Sequence, residues 1–327
     1  MTVATVETQT PTEDTAPAKV IERVPAWQSL VQTNMVGNTE APEGLTSLDM
    51  LQAAGLNWGV EARPLWRRTG ENEYVQSTKS REVFRIDTGA QLGTVRGRYE
   101  VFSNEDAFAF GDALVQDGSG KWVVAGQQNE GARVFMVMEL GEGFEVLGGD
   151  GYKLYLYIRT SHGDGTSISA RIIPFRLWCA NQNGAAIREA KSSWSIPHTT
   201  TVKDRLDEAR NALQLSVSYE AEFQKLAEQL ASVKVSDEQA KAMLGRVIPE
   251  RRARRDDMIA DILGNYQTSE TVEPFRGTGY GLYNGLTEYM DHLKTQRSAN
   301  ARFQSVMHGE GDKFQNNLVQ QLLALAA

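Results

Sequence analysis

The chain has 327 residues, 41% of them hydrophobic and 23% charged, with a formal net charge of −8. That size and composition fit a globular protein of one large or two ordinary domains, and no run approaches the roughly 18 apolar residues of a membrane span. A single cysteine excludes an internal disulfide and a cysteine-based zinc cage and fits a reducing cytoplasm; the acidic total excludes a protein that coats nucleic acid by charge alone.

Residues 1–24 are rich in Thr, Pro and Glu, have no apolar leader core, and read as a disordered acidic tail. Residues 45–55 predict a short helix capped by Thr46 and ended by Gly55. Trp58–Trp66 alternates like a strand, with Val60, Ala62 and Leu65 inward. The runs 82–87 and 91–99 flank Thr88-Gly89-Ala90, a hairpin signal. Asn104 is placed to cap a helix whose core stripe holds Phe108, Leu114 and Val115. Strands follow at 122–127, 133–140, 144–147, 153–161 and 167–180, with a tight turn at His162-Gly163-Asp164-Gly165. Their short connections favour antiparallel pairing. From 202 the pattern becomes helical. Thr201 caps a helix of about 32 residues, Ser236 caps another that Pro249 ends, and helices follow at 254–263, 282–296 and 314–325. Strands first and helices after give an α+β class: an antiparallel sheet domain over 25–200 with hairpins and packed helices, then a helical region over 201–327.

Charge is unevenly spread. Residues 1–59 hold 2 Lys/Arg against 7 Asp/Glu, whereas 171–205 hold 6 against 2. Any polyanion surface is therefore local. Arginines alternate with aromatic residues on the predicted strands: Arg96, Arg98 and Tyr99; Arg159 after Tyr155 and Tyr157; Arg171 and Arg176 around Phe175 and Trp178; then Arg188, Lys191 and Trp194. Cations that follow phosphates beside rings that stack on bases are what single-stranded nucleic acid requires. His162, Asn181 and Asn183 add polar groups to the same stretch. The alternative for each is a solvated strand face over a core of aromatics.

Other constellations are weaker. Cys179, His162 and Asn181 or Asn183 supply the residue types of a Cys-His-Asn hydrolase, but Cys179 lies in an apolar strand and reads as a small hydrophobe. His162, Asp164, His198 and His292 are suitable metal ligands with no shared-face spacing. Gly277–Gly281 lacks the phosphate-loop lysine and reads as a hinge before a helix. Glu250–Asp257 is a basic block bracketed by acids, placed for pairing within its own helix. Asn284, Glu288 and His292 form a polar stripe whose helix is expected to dock on the sheet.

Five ordered stretches, LNWGVEARPL (56–65), LGTVRGRYEVFSNEDAFAFGDAL (92–114), TSHGDGTSISARIIPFRLWCANQNG (160–184), SWSIPHT (193–199) and GTGYGLYNGLTEYMDH (277–292), resemble the phage/plasmid-like protein family, an uncharacterised domain of unknown function (932). Gly163 stands where that pattern more usually has Asp, and Gly184 where a Thr-like residue is usual. The resemblance implies a mobile-element context and no activity. The expected function is a non-enzymatic, homo-oligomeric single-stranded-DNA-binding protein of a phage or plasmid, with annealing in recombination as its refinement. It is placed in the host bacterial cytoplasm, off the membrane, with no cofactor and no metal. The rival readings are a host-interaction or anti-defence protein with a bacterial protein partner, and a Cys/His or metal-dependent hydrolase.

Overall fold

The computed structural model describes residues 30–34, 44–96, 101–163, 168–177, 181–182, 193–196 and 202–326. Among them, two antiparallel sheets carry the strands, and the class is α+β. The larger sheet runs β1 (Val31–Asn34), β5 (Gly120–Gln128), β6 (Arg133–Val146), β7 (Asp150–Ser161), β8 (Ile168–Arg176) and β10 (Ser193–Ile196), with β9 (Asn181–Gln182) also pairing β8. The smaller is a meander of β2 (Val60–Arg68), β3 (Tyr74–Arg85) and β4 (Gln91–Arg96).

The central strands β5 to β8 are apolar at both parities, so both faces of the large sheet are covered. On the first face, Trp122, Met136, Met138, Tyr152, Leu156, Ile158 and Ile172 enter the main core. On the second, Val124, Phe135, Val137, Tyr155, Tyr157 and Ile173 form a smaller core. Tyr155 and Tyr157, aromatics expected to stack on bases, are thus buried against α8 (Ala299–His308), which seats Phe303 and Met307 among them. Each such buried side chain contributes about 1.5–3 kcal/mol.

The helices close the first face. α1 (Ser47–Ala53) starts at Thr46 with a reciprocal cap from Asp49. The next helix is broken into α2 (Asn104–Phe108) and α3 (Asp112–Gln116), and Ser103 rather than Asn104 is its cap. The break occurs where Gly111 lies against Trp122, whose ring a Cβ there would meet at 2.4 Å. α4 (Val202–Ser232) lays Phe223 on Tyr152, ring centroids 4.9 Å apart. Its expected cap, Thr201, lies outside the described residues. α5 (Asp237–Val247) begins at the Ser236 capping box, and α6 (Arg255–Thr268) follows.

All ten residues of α7 (Gly279–Glu288) are buried. It begins earlier than periodicity predicts: the glycine run forms its first turn, capped by Thr278, and lets neighbouring backbones approach. A Cβ on Gly281 would lie 2.2 Å from the Phe275 carbonyl oxygen. α7 ends in a π-helical turn, Tyr289–Leu293. α9 (Glu310–Ala326) returns to the main core through Phe314, Leu318, Val319 and Leu322. The main core thus runs through both sheet and helices. No helix among the described residues is long and apolar enough to cross a membrane.

Candidate polyanion-binding surfaces

Strand alternation sorts the predicted arginines onto different surfaces. Arg159 and Arg171 stand on the second face of the large sheet, where β7–β8 register pairs Tyr157 with Arg171 and β6–β7 register pairs Phe135 with Arg159. Arg133, at the start of β6, belongs to the same face. The three guanidiniums attract the Tyr157 phenolate, yet burial dominates and pushes that phenol above its ordinary pKa. Arg171 donates to the Met307 carbonyl at 2.8 Å and to Asp312 at 2.7 Å. Burial works against the Arg171 charge, but the Asp312 carboxylate outweighs it and the net shift is upward. Burial raises the Asp312 carboxyl in spite of that partner.

Arg176 is a correction. It points to the first face and is 0% exposed. Its Nε donates to both Asp150 oxygens at 2.7 and 2.9 Å, and its terminal nitrogen to the Thr271 carbonyl at 2.9 Å. Tyr280 donates to the same carboxylate at 2.7 Å, and Tyr152 meets the Tyr280 hydroxyl at 2.7 Å. This network ties the sheet to α7 and its preceding loop, where Glu288 accepts from Ser269 and Thr271, each at 2.8 Å. A guanidinium held this way is a core ion pair and cannot follow a phosphate.

His162 is a second correction. It is 1% exposed, with Nε2 2.7 Å from Asn104 Oδ1 and its ring edge-on to Trp58 at 5.5 Å. Its position depends on glycine. At Gly163 a Cβ would sit 2.1 Å from the Leu92 carbonyl oxygen, so β4 and the end of β7 meet backbone to backbone. Arg96 is exposed, but at the end of β4 in the smaller sheet. Asn181 and Trp194 lie on β9 and β10, opposite Arg176 and Ala170, with no side-chain position described. Arg98, Tyr99, Asn183, Arg188 and Lys191 lie outside the described residues, as do Cys179, Asp164 and His198. The arginines expected to serve a polyanion are therefore divided: Arg159 and Arg171 come together, Arg96 and Arg176 do not.

The other constellations resolve locally. No group of three or more His, Cys, Asp and Glu side chains among the described residues is arranged to hold a metal. The basic block pairs within the chain: Arg252 with Glu310, Arg254 with Asp257, and Arg255 with the Ile248 and Gly245 carbonyls. The Gly281 amide is taken by Thr278 Oγ1 at 3.1 Å, the helix's own cap.

Sequence reasoning missed a surface on the β2–β3 hairpin. Beyond an irregularity at Pro64–Trp66 the two strands project, with Trp66 61%, Tyr74 60% and Val75 51% exposed. Register pairs Trp66 with Gln76 and Arg68 with Tyr74, so both rings and Arg68 share one face of the arm. Arg67 and Lys79 are also exposed. Arg68 donates to the Gly70 carbonyl at 2.8 Å and the Glu71 carbonyl at 2.5 Å, fixing the tip. Residues 63–81 hold five Lys/Arg against two Glu in a chain of net charge −8. Trp66-Arg67-Arg68, with no apolar partner stripe, was the available signal.

No curated protein and no solved structure matches the chain. A family model described as "Domain of unknown function (DUF932)" matches residues 91–307, which takes in the arginine-bearing second face and stops short of the arm. With two thirds of its length so matched, the chain belongs to that family of domains of unknown function.

Proposed function

We propose that this protein binds single-stranded DNA, as a phage or plasmid protein that assembles on the strand and brings complementary strands together for annealing. The observation that carries the reading is the projecting β2–β3 arm, where Trp66 and Tyr74 stand open to solvent on the same face as Arg68. Large aromatics in water lose favourable burial unless a partner covers them. Bases supply a flat apolar partner, and phosphates supply the counter-charge for Arg68 on the same face. The acidic remainder of the chain keeps the strand on the arm. The mechanism is physical: stacking splays the bases and leaves their pairing edges free for a complementary strand. One arm makes few contacts, so the reading includes several copies side by side, in the cytoplasm of a bacterial host.

Fluorescence anisotropy with a labelled oligonucleotide of about 40 nucleotides, across a salt series, tests this. The expected result is binding at low salt that weakens linearly in log–log form as salt rises. Light scattering is expected to report a jump in particle size when DNA is added. Absent binding, or binding indifferent to salt, refutes the reading. The exposed Trp66, Tyr74 and Ile86 also favour a second reading, capture of a host protein. A pull-down that survives nuclease while oligonucleotide binding fails selects it.

A further inference from the structure

We infer that Arg133, Arg159, Arg171 and Tyr157 form a second site for the single-stranded polyanion, one that α8 holds shut. The inference rests on the DNA-binding reading above and adds its regulation. Three cations gather around one phenol on a single sheet face, beside Phe135. α8 covers that face with an aromatic ring of its own: Phe303 lies 5.0 Å from Phe135 and 6.1 Å from Tyr157, centroid to centroid. A nucleobase presents the same kind of flat surface.

The cover is built to leave. Phe303 and Met307 belong to the small second core, whereas α9 is anchored in the main core by Phe314, Leu318, Val319 and Leu322. Non-helical backbone brackets α8 on both sides, at Lys294–Ser298 and at Gly309. Polar ties also hold α8: Gln128 with Asn300 and Gln304 at 3.2 and 3.1 Å, Arg171 with the Met307 carbonyl at 2.8 Å, and Arg302 with the Asp291 carbonyl at 3.0 Å, while Asp312, the carboxylate that pairs with Arg171, belongs to α9. A phosphate takes the place of the Met307 carbonyl on Arg171 and competes there with Asp312, whose anionic oxygens are of the same kind. Moving α8 aside uncovers the site and leaves α7 and α9 in place.

The test uses the full chain and a labelled oligothymidylate of about 40 nucleotides. Hydrogen exchange across 299–308 is expected to rise when the oligonucleotide binds. Arg133→Ala with Arg159→Ala is expected to weaken binding about tenfold and to reduce the salt slope by about 1.4, the contribution of two single-strand phosphates. Phe303→Ala loosens the cover and is expected to tighten binding about threefold or more. Asp312→Asn, which keeps the second core filled, gives the same direction should Phe303→Ala fail to fold. Unchanged exchange across 299–308 overturns the second site. So does an arginine pair that binds like the unaltered chain while Trp66→Ala with Tyr74→Ala does not; in that case the arm reading stands. If the unaltered chain binds no oligonucleotide, both readings fall together.

Discussion

Arg176 and Asp150 illustrate how a charged residue in this chain is committed before any ligand arrives. Their ion pair, at 2.7 Å, is closed off from water and completed by Tyr280 and the Thr271 carbonyl. Removing one member leaves the other charged and buried, so Arg176→Met is expected to cost about 3–5 kcal/mol in a urea unfolding experiment. Arm residues behave oppositely. Trp66→Ala and Tyr74→Ala each remove a side chain that is mostly in water. They are expected to leave the unfolding midpoint in place and to weaken oligonucleotide binding by about 1–3 kcal/mol apiece, read by anisotropy. Gly163→Ala drives a methyl group towards the Leu92 carbonyl and is expected to destabilise by about 1–3 kcal/mol, seen as a lower thermal midpoint. In sequence, Arg159, Arg171 and Arg176 look alike. What separates them is strand parity together with an acid 26 residues away in one case and 141 in another. A single sequence shows the first and hides the second.

At the scale of elements, caps and alternation were legible. Thr46, Ser236 and the antiparallel run β5 to β8 are read correctly because each depends on neighbours in sequence. The misses have physical causes. β3 begins at Tyr74, well before the apolar pattern at 82, because the projecting half of the hairpin has no core to impose alternation. α7 takes its glycines into the helix because packing demands close approach there. α8 passed unseen, since Phe303, Val306 and Met307 are its only large buried side chains among those described. That sparse anchoring contrasts with α7, buried along its whole length. Native-state hydrogen exchange is therefore expected to be faster in 299–308 than in 279–288 by several orders of magnitude, with α7 opening only on global unfolding.

For the whole molecule, burial of phenols sets the alkaline limit. Burial raises Tyr152, Tyr157, Tyr219 and Tyr280 above the ordinary phenol range. The folded state thus holds protons that the unfolded chain releases near pH 10. Stability from this source is complete below about pH 10 and is lost as pH climbs beyond it. Urea midpoints measured at rising alkaline pH are expected to fall, with tyrosine ionisation absorbing in step with unfolding. The central place of α7 has another consequence. Its residues 279–288 follow the strands of the large sheet in sequence, yet they fill the space between α4, α6, α9 and the sheet. The sheet therefore gains this part of its cover only after all of its strands have been made. Loss of residues 279–288 is therefore expected to leave an apolar surface open and the rest of the chain prone to self-association, read by light scattering.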